Sequence, residues 1–201
     1  MTSGRRSDDG IHRRLFRLWL PVLLLCCMAA PVRAANDQPG FTIRGVDVTL
    51  NGGVYYLAAH IEYRLSDEAI RALDNGVALT VELQVEVAEP RLWGFWNQDI
   101  AWLSQRYRLR YHALSGRYVL SNLNSGVNRS FGRRESALAA MGVVKRLPVI
   151  DRHLLANGKT YELRLRARLD TDALPRPLRA IAYMSPDWRL TSGWFTWPLQ
   201  N

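Results

Sequence analysis

VALTVELQVEV, residues Val77–Val87, is the stretch that decides the fold. Val77, Leu79, Val81, Leu83, Val85 and Val87 alternate with Ala78, Thr80, Glu82, Gln84 and Glu86. A helix would scatter those large apolar side chains around its axis, whereas a strand sets them all on one face. Burying such a face contributes roughly 1.5–3 kcal/mol per large side chain, on the order of 10 kcal/mol for the strand before conformational entropy is subtracted. At about 3.3 Å per residue it runs roughly 35 Å, long for a globular strand. The stretch reads as the central strand of a sandwich or of a strongly curved sheet.

Working outward towards the N-terminus, Asn75-Gly76 ends a short helix that Ser66 caps and Asp67-Glu68 open, with Ala69, Ile70 and Leu73 inward. Before it, Val54–Leu65 alternates with Tyr55, Leu57, Ala59, Ile61, Tyr63 and Leu65 on one face. Asn51-Gly52-Gly53 offers the positive-φ residues of a tight turn back to Phe41–Leu50. The apolar phase of that strand slips at Gly45, which predicts a β-bulge.

Towards the C-terminus, Pro90 stops the central strand, and Ala101–His112 and Arg117–Leu123 read as strands joined by Ser115-Gly116. Asn124–Gly132 reads as a loop and Arg133–Arg146 as a second helix closed by Leu147-Pro148. Thr160–Leu169 alternates again, Leu174–Leu178 (LPRPL) predicts a stiff extended connector, and Leu190–Leu199 a closing strand. The sum is mostly β: a single sandwich-like antiparallel β domain with two short helices, over residues 41–201.

Residues 1–34 have the composition of an export signal, and 35–40 that of a linker. Arg5, Arg6, Arg13, Arg14 and Arg17 precede the uncharged apolar run Leu18–Ala30, which leads to the small-residue pattern Val32-Arg33-Ala34. The run is short for a bilayer span, which takes about 20 residues. The expectation is therefore a periplasmic protein cleaved near Ala34. The alternative is an inner-membrane anchor made of Leu15–Ala30. Arg13-Arg14-Leu15-Phe16 approaches a twin-arginine motif, but His12 stands where Ser or Thr is usual, and the general secretory route fits better. Leu24-Leu25 before Cys26 is not a lipobox, so Cys26 and Cys27 leave with the signal and no thiol chemistry remains. The net charge of +9 falls to about +5 with the six arginines and two aspartates of residues 1–34 gone. That value suits an ordinary surface or one near anionic polymer, and with export it argues against nucleic acid.

Two features are candidates for interaction. The tryptophans beyond residue 34 fall in two stretches, Trp93, Trp96 and Trp102, then Trp188, Trp194 and Trp197. Most suit a sandwich core or its ends. Trp93, Phe95 and Trp96, in a loop after Pro90, are the exception and make a platform for a protein side chain or a sugar ring. Arg106, Arg108 and Arg110, like Arg164, Arg166 and Arg168, sit at strand spacing and line one face each. On neighbouring strands they would make a stripe for phosphate or carboxylate; otherwise they form a solvated face balanced by Glu82, Glu86 and Glu162. Catalytic and metal patterns are thin. His60, His112 and His153 belong to no HExxH, and there is no CxxC, GxSxG, P-loop or dinucleotide fingerprint. Asp151-x-His153 and Asp170-x-Asp172 are short coincidences of the kind that seldom hold a cation. The expectation is no enzyme, no cofactor and no metal.

Leu147-Pro148-Val149-Ile150-Asp151, Tyr161-x-Leu163-x-Leu165-Arg166 to Leu169-Asp170, Leu174-Pro-x-Pro-Leu178 and Trp188-x-Leu190-x-Ser192-x-Trp194 resemble an uncharacterised exported bacterial family, domain of unknown function 4390. That family is also described as proline-rich signal peptide proteins, which nine prolines do not match. The resemblance covers most of residues 35–201. It implies a Gram-negative envelope protein without assigned activity, hence no catalytic residues to carry over, and an accessory role to a membrane signalling protein. The residues themselves point to a non-catalytic envelope module that binds another protein, with a cell-wall glycan or peptidoglycan on an exposed Trp loop as the alternative. Contact with membrane is expected only through the export signal.

Overall fold

A computed structural model describes residues 38–90 and 98–199. The expected export signal of residues 1–34 and the expected aromatic loop with Trp93, Phe95 and Trp96 lie outside the described residues. Among the described residues, two antiparallel sheets make up the fold. The smaller has three strands, in the order β1 (Gly40–Asn51), β2 (Val54–Arg64), β7 (Val143–Asp151). The larger has six: β6 (Asn128–Phe131), β5 (Arg117–Asn122), β4 (Gln98–His112), β3 (Leu79–Glu89), β8 (Tyr161–Leu169) and β9 (Phe195–Leu199). No helix among the described residues is long and apolar enough to cross a membrane.

The decisive stretch lies in the middle of the large sheet, with β3 between β4 and β8. Leu79, Val81, Leu83, Val85 and Val87 are at most 2% exposed and share one core with Leu57, Ile61 and Tyr63 of the small sheet. The arrangement is thus sandwich-like. The opposite face of β3 is not open either, since Thr80, Glu82 and Gln84 are buried too. Long arginine side chains on both neighbouring strands cover them, as amphipathic side chains do when their stems lie along a surface.

The β1–β2 hairpin has the expected form. Gly52 and Gly53 carry φ of 59° and 81°, and the register shifts between Ile43 and Gly45. Helix α1 (Asp67–Asp74) begins with the Ser66 side chain accepting from the Ala69 N–H at 3.2 Å.

Four expectations need correction. The second helix, α2, spans only Arg134–Met141, and the residues up to Asp151 are strand β7. Val143-Val144 favours extended backbone, and pairing with β2 supplies the hydrogen bonds that a longer helix would have made. The Asn124–Gly132 loop contains β6, a short edge strand paired to β5. A third helix, α3 (Arg176–Met184), replaces the extended connector. Pro175 is its N-cap and Pro177 lies in its first turn, where a missing N–H removes no helical bond. Finally, β9 covers only Phe195–Leu199 of the closing strand expected over Leu190–Leu199, because Gly193, with φ of 67°, interrupts the extended run and Thr191 makes only an isolated bridge to Arg168.

Candidate functional site

The outer face of the large sheet carries both arginine triplets. They are not adjacent; β3 separates them, so each faces the polar row of that strand. Arg106, Glu82 and Arg168 lie in one cross-strand row, Ser104, Gln84 and Arg166 in the next, and Trp102, Glu86 and Arg164 in the third. Alternation on three strands aligned in register produces this pattern, with the apolar residues of the same strands turned to the core.

Glu82 is the hub. Its carboxylate accepts from Arg168 Nε at 2.9 Å, from Ser104 Oγ at 2.7 Å and from Gln84 Nε2 at 3.0 Å. Gln84 Oε1 in turn accepts from Arg166 Nε at 2.9 Å. Arg164 pairs with Glu86 at 3.2 Å. The guanidinium groups of Arg164 and Arg166 also stack on the Trp194 ring, 4.6 and 4.3 Å from its centroid. Charge-assisted bonds of this kind, half shielded from water, hold the guanidinium planes in fixed orientations.

Of the arginines singled out from the sequence, Arg106 donates to Asp170 Oδ2 at 2.6 Å. Arg108 stands opposite Thr80 and Ser121, and Arg110 opposite Val119. Both are exposed, and no carboxylate among the described residues pairs with either. His112 continues the row and faces Arg117, which donates to Ser130 Oγ at 2.5 Å. The face therefore has two parts. Around β8 the arginines are ordered, Arg164 and Arg168 by carboxylates and Arg166 by the neutral Gln84 amide and the Trp194 ring; along the outer half of β4, Arg108 and Arg110 have no described acid. Of the expected balancing acids, Glu82 and Glu86 pair with arginines, and the third carboxylate of the network is Asp170.

The tryptophans divide. Trp188 is 3% exposed in the core and Trp197 packs against it. Trp102 is 59% exposed on the outer face, beside Glu86, and Trp194 is half-buried under its two arginines. Sequence reasoning had no means of assigning Trp194 to the arginines, because it precedes the first paired residue of β9.

Asp170 does not behave as a cation ligand. One oxygen is bonded to Arg106, and the other accepts the N–H groups of Asp172 and Ala173. Among the described residues no group of three or more His, Cys, Asp or Glu could hold a metal ion.

The family model described as Domain of unknown function (DUF4390) matches residues 38–198. The chain belongs to that family. No curated protein and no solved structure matches it.

Proposed function

We propose that this chain is a non-catalytic, exported module of the cell envelope that binds an acidic surface of another protein through the outer face of its large sheet. The observation that carries the reading is the contrast along β4 and β8. Arg164, Arg166 and Arg168 are fixed in a hydrogen-bonded network, while Arg108 and Arg110 are exposed without a described acid. A positive patch mounted on a rigid sheet steers an acidic partner and suppresses basic ones. Trp102, exposed on the same face of β4 roughly 20 Å along the strand from Arg108, supplies the aromatic anchor that interfaces favour. Trp93, Phe95 and Trp96 extend the same proposal to the stretch of sequence before β4. An accessory role to a membrane signalling protein accords with this reading.

Crosslinking in the intact envelope, followed by identification of the captured protein, tests it. Support requires a reproducible partner with an acidic surface whose capture falls with both Arg108→Ser and Trp102→Ala. Capture that is indifferent to these changes, or no capture, removes the proposal.

One observation favours a second reading. An indole as exposed as that of Trp102 also suits a sugar ring. Retention on peptidoglycan, lost on Trp102→Ala but not on Arg108→Ser, would favour a glycan.

A further inference from the structure

The two faces of β4 differ in what they offer. Gln105 and Tyr107 alternate with Arg106 and Arg108, so they lie on the side away from the arginine face. There a cleft of about 480 Å³ is lined by β4, β5 and β6 of the large sheet and β7 of the small one. Gln105, Tyr107, Asn122, Arg129, Lys145 and Arg146 supply its polar lining, and none of the lining residues is acidic.

The rim of this cleft is built at some expense to the backbone. Leu57 pairs with Leu147 and Ala59 with Val144, so β7 has one residue more than β2 across this interval, a bulge that contains Lys145 and Arg146. Arg146 has φ of 47°, the only positive value outside glycine among the described residues. A long side chain seldom occupies that region, and such outliers concentrate where a ligand is held. The Arg146 guanidinium lies over the Tyr56 ring at 4.8 Å and that of Arg129 over Phe131 at 5.1 Å. No carboxylate among the described residues pairs with Arg129, Lys145 or Arg146.

The neutral groups are donors as well. Asn122 Oδ1 is occupied by the N–H groups of Asn124 and Ser125, which leaves its Nδ2 to donate. Burial raises the Tyr107 hydroxyl above its ordinary range, so it keeps its proton. Residues that carry cationic and neutral donor groups on β4, β5, β6 and β7 thus line one cleft instead of one sheet face. That distribution suits a tetrahedral oxyanion better than a planar carboxylate.

We propose that this cleft binds a phosphate group, carried either by a small soluble molecule or by a lipid headgroup. The site is separate from the arginine face and does not depend on it. The test uses the full-length chain, its Arg129→Gln and Lys145→Gln variants, and Arg108→Ser as the outer-face control. Inorganic phosphate at constant ionic strength is one arm, read by calorimetric titration and melting temperature. Sedimentation with phosphatidylglycerol vesicles is the other, where the shared N-terminus makes the variants the proper comparison. Saturable binding of phosphate, weakened at least tenfold by either cleft variant and unchanged in Arg108→Ser, supports a soluble ligand. Vesicle binding with the same variant pattern supports a headgroup. Binding in neither arm, binding indifferent to the cleft variants, or binding lost with Arg108→Ser overturns the proposal. Arg129 and Lys145 are exposed, so the variants should melt within a few degrees of the parent in phosphate-free buffer.

Discussion

Tyr63 is the residue whose setting has the clearest consequence. It packs edge-on against Phe41, with ring centroids 4.8 Å apart, and its buried hydroxyl has no hydrogen-bond partner among the described residues. Burial, and to a lesser degree the nearby Tyr107, pushes its ionisation well above the ordinary tyrosine range. The folded form therefore keeps a proton that the unfolded chain loses near pH 10, so stability is complete below that pH and declines as pH rises past it. Tyr63→Phe keeps the ring and removes the unsatisfied group. It should stabilise the fold by about 1 kcal/mol at neutral pH and flatten, without abolishing, the alkaline decline, since Tyr107 and Tyr118 are shifted the same way. Denaturant melts at pH 7 and above pH 10 measure both effects. Glu82 makes the opposite case. Glu82→Gln leaves Arg168 without its carboxylate and should destabilise by about 1–2 kcal/mol, a value reduced because Arg168 is partly exposed. The alternation of Glu82 with Val81 and Leu83 was legible in the sequence. Its burial was not, because it depends on strands β4 and β8, which reach β3 from distant parts of the chain.

Among the elements, the junction of α2 and β7 shows why a local pattern misleads. The helical reading ran through Gly142 to Arg146, but Gly142 is where the chain leaves the helix to join β2. Its carbonyl accepts the Ile61 N–H at 2.8 Å, and a Cβ placed on it would lie 2.0 Å from the Ile61 carbonyl oxygen. Glycine is needed here for space, its φ of −73° being ordinary. Gly142→Ala should consequently destabilise by about 3 kcal/mol, read as a fall in melting temperature on the order of 10 °C. A parent-like melt would mean that α2 does not meet β2 so closely. The prolines near Leu174 misled for a related reason: two prolines stiffen an extended segment, yet they also suit the first turn of a helix, and only packing decides between them. For β3 the local and tertiary signals agree. Leu83→Asp places an unpartnered charge at a fully buried position and should largely unfold the domain, visible as loss of near-ultraviolet circular dichroism.

At the scale of the molecule, strand content, the first hairpin and the sandwich-like arrangement could all be read from periodicity, because each strand declares its buried face in its own sequence. Strand order could not, and the candidate site depends on strand order. Placing β3 between β4 and β8 turns two arginine triplets from one continuous stripe into a bonded, ordered half and an open half. Electrostatic steering by the open half acts mainly on association rate and its dependence on salt, whereas an aromatic anchor acts on residence time. The direct test is therefore the association rate of the purified chain with its crosslinked partner, measured across ionic strength for the parent and for Arg108→Ser/Arg110→Ser. The account predicts that the parent slows steeply as salt rises, while the folded double variant associates roughly tenfold more slowly at low salt and is nearly indifferent to it. Equal rates with equal salt dependence in the two proteins would contradict it.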